Sequence, residues 1–308
     1  MSYVLTANTP PPIVIHLDSQ SSGVQQLETG KTTNFIYSLT EPVVIPDHMN
    51  MLISLHTATI PYSFYNVRSG VNNQLDISID GVDITSLVLE EGNYSANGLK
   101  NLIKTHMELE ASITTFDISY TRETLKFKIF FTGSATSVVF KNTSSCLDLL
   151  GFTSSGKTFT GKTLGNAVSS DNAVDLNDAI HGLYVRQNLA TRGTLDTSQG
   201  IFSNILARIP ITTNAGGIIF FTPSSNQHET MISVPLIQTI GIRITDDKHR
   251  TIDLNGLHFQ LSIKLSYIHK EKLREGVPRL NRQIIKTIVD EEEEKLKIKE
   301  RKRRPKKK

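Results

Sequence analysis

The segment best equipped for chemistry is GFTSSGKT, residues 151–158. It matches G-x-x-x-x-G-K-[S/T] at every position through Gly151, Gly156, Lys157 and Thr158. In a phosphate-binding loop the glycines let backbone N–H groups wrap the phosphates. The lysine reaches the outer oxygens and the hydroxyl holds Mg²⁺. Such a loop needs a buried strand before it and a helix behind it whose N-terminus faces the anion. CLDLL, residues 146–150, can pass for the strand. The following FTGKTLGNAVSSDN holds two more glycines and no apolar helical stripe. ITDD (244–247) closes an alternating strand, not a buried parallel one that would hold a metal. The segment therefore reads as a Ser/Gly/Thr loop, a decoy for a nucleotide site.

DISIDG, residues 76–81, imitates the start of a calcium loop with Asp76, Ser78, Asp80 and Gly81 in register. The twelfth position is Leu87 where that loop needs a bidentate carboxylate. A hairpin turning at Asp80-Gly81 is the better reading. The 9 histidines form neither HExxH nor a Cys/His cluster. His258 falls on the outward side of an alternating strand. G-x-S-x-G is absent. Cys146, the only cysteine, has no evident partner histidine and reads as a small core residue. Two Asn-x-Ser sequons, at Asn93 and Asn142, acquire meaning only in a secreted chain. No catalytic residue, cofactor or metal is expected.

Charge is segregated. Residues 270–308 hold 16 Lys/Arg against 8 Asp/Glu, leaving 17 against 22 for residues 1–269. Within residues 295–308 ten basic side chains face one acid, through Lys299, Arg301, Lys302, Arg303, Arg304, Lys306, Lys307 and Lys308 among others. Such a block repels itself and buries nothing, so disorder is expected. It can neutralise phosphates by counterion release, and it equally resembles a nuclear import signal. A merely solubilising tail is the bland alternative.

The elements that must carry these residues are mostly strands. Residues 1–12, with Pro10, Pro11 and Pro12, read as an extended arm, and the arm region is taken to residue 27. Strand candidates follow at 13–19, 35–39 and 51–60. LDISIDGVDI, FDISY, LKFKIFF and SVVF alternate or are β-rich, and GNYSANGLKNLIKTHMELE (92–110) supplies one helix. Its apolar face is Leu99, Leu102, Ile103 and Met107, with Ser95 or Asn97 as cap. Residues 153–178 are Ser/Thr/Gly/Asn-rich and read as a linker or long surface loop. Strand texture returns in HGLYVRQNL, NILARIPI, GIIFFTP, ISVPLIQTIGIRIT and LHFQLSIKLSYI. In the last, Leu257, Phe259, Leu261, Ile263 and Leu265 share a face. Past Ile268, Leu280, Ile284 and Ile288 suggest an amphipathic helix before the basic block.

Many short strands with little helix imply a mainly β fold: a jelly-roll β-sandwich with an inserted or adjacent α+β module. The expected body is 28–66 plus 176–269, with the α+β module at 67–160, a loop at 161–175 and the helix plus basic tail at 270–308. Two sequential β-rich domains are the alternative. The N-terminus lacks the features of a signal peptide, and no apolar run is long enough for a membrane-spanning helix.

Several stretches in this order resemble a known family. They are TIPYSFYNV (59–67), GNYSANGLKNLI (92–103), LLGF (149–152), GLYVRQNL (182–189), SNILARIPI (203–211) and IRITDDKHRTIDLNGLHFQLSIKL (242–265). Together they resemble penton-like and minor capsid proteins of nucleocytoplasmic large DNA viruses and polinton-like viruses, over about residues 30–268. The resemblance implies a non-catalytic jelly roll in an icosahedral shell. It would be virion-located and made in the host cytoplasm or nucleus. Its partners would be copies of itself, as in a pentamer, and a major capsid protein. The tail lies outside the resemblance. A glycan- or receptor-binding attachment module and an NTPase on 151–158 are the competing readings.

Overall fold

The computed structural model describes residues 9–162, 166–177, 180–190, 194–196, 201–223, 228–232 and 234–270. These are mainly β with one helix, and the strand pairs are antiparallel. The amphipathic stretch at 280–288 and the basic block lie outside the described residues.

Two sheets face each other. The first sets Ile13–Asp18 beside Gln260–His269, then Met49–Pro61, then Ile218–Phe221, with Thr230–Met231 also on Met49–Pro61. The second runs Ile205–Pro210, Gly182–Gln187, Leu236–Thr245, Asn34–Val44, Val24–Gln26. Setting aside the two short strands Val24–Gln26 and Thr230–Met231, and the elements within 62–181 and 194–203, eight strands make the sandwich. In chain order the first sheet reads first, eighth, third, sixth. The second reads fifth, fourth, seventh, second. Ile13–Asp18, within the stretch read as an arm, pairs along its full length with Gln260–Leu265. Its half-buried Ile13 and Ile15 pack on the core.

Alternation explains most of this, and bulges explain where alternation falters. In Leu236–Thr245 the core residues are Ile237, then Ile240, Ile242 and Ile244. The three-residue step falls at a register shift against Asn34–Val44. In Met49–Pro61 the residues facing the sandwich core are Met51, Ile53 and Leu55, then Ala58 and Ile60, with the phase change at the shift against Gln260–His269. An extra residue on one strand flips the pleat without breaking the sheet. Leu257, expected on the inner face, is exposed because pairing begins only at Gln260. Phe35 and Phe259, tilted at 5.8 Å, lie in the core between the sheets. Each fully buried aromatic of this size contributes about 1.5–3 kcal/mol by leaving water.

A second hydrophobic cluster forms between the third and fourth sandwich strands. The helix Ala96–Met107 packs on Ile113–Thr121, which pairs with Lys126–Gly133. Ser95 caps the helix, its hydroxyl accepting from the Gly98 N–H at 3.1 Å. The buried face is Ala96, Leu99, Ile103 and Met107. Leu102, expected there, sits on the rim and is 39% exposed. Phe140, Phe152 and Phe159 meet edge to face with centroids 4.8–5.7 Å apart, a geometry worth about 0.5–1.5 kcal/mol per pair beyond burial.

The stretch 153–178 is not simply a linker or surface loop. Lys157–Phe159 pairs with Val138–Phe140, and Val168–Ser169 pairs with Lys126–Gly133. Its composition is polar because these strands are short and expose one side. Phe159 nevertheless enters the second cluster.

Candidate functional site

The phosphate-loop look-alike is built for a different partner. Residues 146–151 form turns rather than a strand, with the Leu150 N–H reaching both Cys146 O and Leu147 O at 3.1 Å. Lys157 starts a strand instead of a helix. Gly151 and Gly156 have φ of +77° and +81°. A Cβ on either would meet backbone, at 2.6 Å from Asn172 O and 2.5 Å from Phe140 O. The glycines thus serve close packing of chain on chain. Lys157 ion-pairs with Asp171, whose other oxygen accepts from the Thr153 N–H at 3.4 Å. Hydrogen bonding from Lys157 holds the Asp171 carboxyl below its usual range. The anion held by this loop is a side chain of the same protein. Thr158 points outward, exposed.

Asp80 and Gly81 turn the hairpin between Ile77–Ile79 and Val82–Asp83, both at positive φ. Asp80 Oδ1 accepts from the N–H groups of Thr136 at 2.8 Å and Ser137 at 2.7 Å. Asp76 accepts from Ser86 and Thr143 hydroxyls, each at 2.6 Å. Hydrogen bonds lower both carboxyl pKa values, the Thr136 hydroxyl leading for Asp80 and the Ser86 hydroxyl for Asp76. The carboxylates tie neighbouring loops. Among the described residues no group of three His, Cys, Asp or Glu is arranged to hold a metal ion.

Cys146 is fully buried in the second cluster, and burial pushes its thiol up to about 12. His258 is exposed, as expected, with Ser19 Oγ 3.4 Å from its Nδ1. His16 meets Ser262 Oγ at 2.8 Å, and His181 meets Asp247 at 2.9 Å. The basic residues Lys299, Arg301, Lys302, Arg303, Arg304, Lys306, Lys307 and Lys308 lie outside the described residues. No helix among the described residues is long and apolar enough to cross a membrane.

Three features escape motif reading. The first is Asp246, fully buried at the end of the seventh sandwich strand. Its Oδ2 accepts from Arg250 Nε at 2.6 Å and Arg68 at 3.3 Å. Its Oδ1 accepts from the N–H groups of Lys248 at 2.9 Å and Arg250 at 2.8 Å. Arg68 follows Val67, a member of the second cluster, so one buried carboxylate ties the sandwich to the start of that cluster. The only sequence signal is an Asp four residues before an Arg just past a strand. The second is a cleft of about 380 Å³ lined by Asn34, Arg186, Asn188, Asn204, Arg243 and His249 among others. The third is the edge strand Ile218–Phe221, which exposes Phe220 and Ile218.

No protein-family model matches the chain, and no curated protein matches it. Among solved structures it is similar to the penton protein of mavirus, at 13% identity and a TM-score of 0.46, covering 84% of this chain and 100% of that one.

Proposed function

We propose that this chain is a structural, non-enzymatic virion protein, a penton-type or minor capsid component of an icosahedral shell. In this reading the sandwich is a jelly roll. The observation that carries it is the strand order: first-eighth-third-sixth facing fifth-fourth-seventh-second, the interleaving left when two Greek keys wrap into one sandwich. The body then comprises 28–66 and 176–269 with Ile13–Asp18 added. The α+β module, expected at 67–160, is inserted between the third and fourth strands and takes in Val168–Ser169 from the stretch expected to be a loop at 161–175. The stretches that resemble capsid proteins support the same reading by where they fall. GLYVRQNL spans the fourth strand, SNILARIPI the fifth, and the 242–265 stretch runs from the seventh strand through the Asp246 turn into the eighth. These three are framework segments; TIPYSFYNV closes the third strand, while GNYSANGLKNLI and LLGF lie in the second cluster. The partners are copies of the chain itself and a major capsid protein, and residues 295–308 contact nucleic acid or the inner virion surface.

The test is assembly. Purified chain, alone and mixed with the major capsid protein of its virus, is sized by light scattering and imaged by electron microscopy. Closed rings, or incorporation at shell vertices, support the proposal. A monomer that never joins a shell refutes it.

The cleft with Arg186, Arg243 and Asn188 favours a second reading, an attachment module that grips a glycan. Amides and guanidinium groups can hydrogen-bond sugar hydroxyls beside the apolar side chains of Leu27 and Ile36. Saturable binding on a glycan array, lost in Arg243→Ala, would favour it over a purely architectural role.

A further inference from the structure

The first sheet ends in a strand with unused pairing capacity. Ile218–Phe221 pairs with Met49–Pro61 on one side, and among the described residues no strand pairs its other side. Ile219 points into the core, while Ile218 and Phe220 point out, 51% and 71% exposed. From Ile211 to Pro223 the chain, ITTNAGGIIFFTP, carries no charged residue. Natural edges are usually guarded by lysines, inward charges or bulges against pairing with another chain. An unguarded edge with an outward Phe is a template for an added strand.

The chain itself supplies a matching segment. Residues 1–8, MSYVLTAN, are uncharged, and Tyr3, Val4 and Thr6 favour strands. Geometry decides whose segment can arrive. Thr9 is anchored by its hydroxyl, 3.3 Å from His269 Nε2, and His269 pairs with Met49. Phe220 pairs with Thr59, at the other end of the same strand and across the sheet from Ile13–Asp18. Ten strand residues separate those ends by roughly 33 Å. Val4 precedes Thr9 by five residues, a reach of about 18 Å even fully extended. The segment cannot reach the edge of its own molecule.

We infer that the Ile218–Phe221 edge receives residues 3–7 of a second copy of this chain as an added strand. Donor and acceptor lie at opposite edges and ends of one sheet, so the contact is head-to-tail. Such contacts close into rings when the rotation permits. The inference deepens the assembly reading and rests on it.

The test uses two full-length, differently tagged versions, one carrying Val4→Cys and the other Ile218→Cys. The native Cys146 is fully buried and does not compete. On mixing and mild oxidation, a mixed-tag disulfide product is expected. It should be lost when Phe220→Asp is added to the acceptor, with folding checked by circular dichroism. Phe220→Asp alone should weaken self-association about tenfold or more. A control acceptor with Cys at the exposed Val88 should not cross-link. Copies that assemble normally without the mixed product overturn the edge contact and leave the assembly reading intact. Copies that stay monomeric overturn both. Equal cross-linking through the Val88 control also overturns the contact.

Discussion

Replacing Asp246 by Ala removes the acceptor of four hydrogen bonds and leaves two guanidinium groups facing a buried site without its carboxylate. The two guanidinium contacts, at 2.6 and 3.3 Å, join a side chain with no exposure to arginines that are 29% and 16% exposed. Breaking a buried ion pair by deleting one partner costs about 3–5 kcal/mol, chiefly because the remaining charge stays desolvated. Asp246→Asn keeps an Oδ1 acceptor for the Lys248 and Arg250 N–H groups but turns an amide toward the two arginines. Loss of one charge-assisted hydrogen bond is worth about 1.5–3 kcal/mol, and the Asn variant should fall in that range. Urea unfolding followed by fluorescence and far-ultraviolet circular dichroism measures both. Because Arg68 follows the first residue of the second cluster, Asp246→Ala should also separate the unfolding of the two cores into distinct transitions. The loss should change little between low and high salt, since the pair is screened weakly when buried. A destabilisation below about 1 kcal/mol would class the pair with surface ion pairs and refute its role as the tie.

Lys157→Ala should cost at most about 1 kcal/mol, since the Lys157–Asp171 pair is partly exposed. Calorimetry should find no ATP binding in either form, and saturable binding lost in the variant would restore the nucleotide reading. The carboxyls of Asp18, Asp76 and Asp171 are held below their usual value of 3.8, chiefly by the Gln20 N–H, the Ser86 hydroxyl and Lys157 respectively. A depressed folded-state pKa means that the unfolded chain takes up protons first. Their stabilisation is therefore present above 3.8 and lost as pH falls below it through the lower folded values. Thermal melts across that window should show the loss, and a flat profile would contradict it. Removing residues 295–308 should reduce nucleic-acid binding and flatten its salt dependence. Unchanged binding with lost nuclear accumulation of a fusion would make the tail an address instead.

Period-two alternation made the strands legible, because one buried face per strand imposes it. It located Gly182–Gln187, Leu236–Thr245 and the Ile113–Thr121/Lys126–Gly133 hairpin. The Asp80-Gly81 turn was legible because positive φ at both residues demands such a pair. Bulges were not legible. An extra residue in Met49–Pro61 leaves MLISLHTATI without a clean period, and only the partner strand reveals why. Polar short strands such as Lys157–Phe159 were hidden because one buried Phe159 does not make a pattern. The P-loop match shows the converse failure: glycines at the right spacing answered to backbone packing at Gly151 and Gly156. Asp246 was hard to single out because the Asp-to-Arg250 spacing of four residues is common and its other arginine, Arg68, is 178 residues away. Long-range pairing of that kind leaves no mark in a single sequence.

The proposed role as a building block of an icosahedral shell is decided by cryo-electron microscopy of purified particles, with the chain located by its density. Sandwich-shaped density is expected at a fixed lattice position, in rings at the vertices for a penton, with Ile218–Phe221 at a contact between copies. Particles that lack the chain would contradict it.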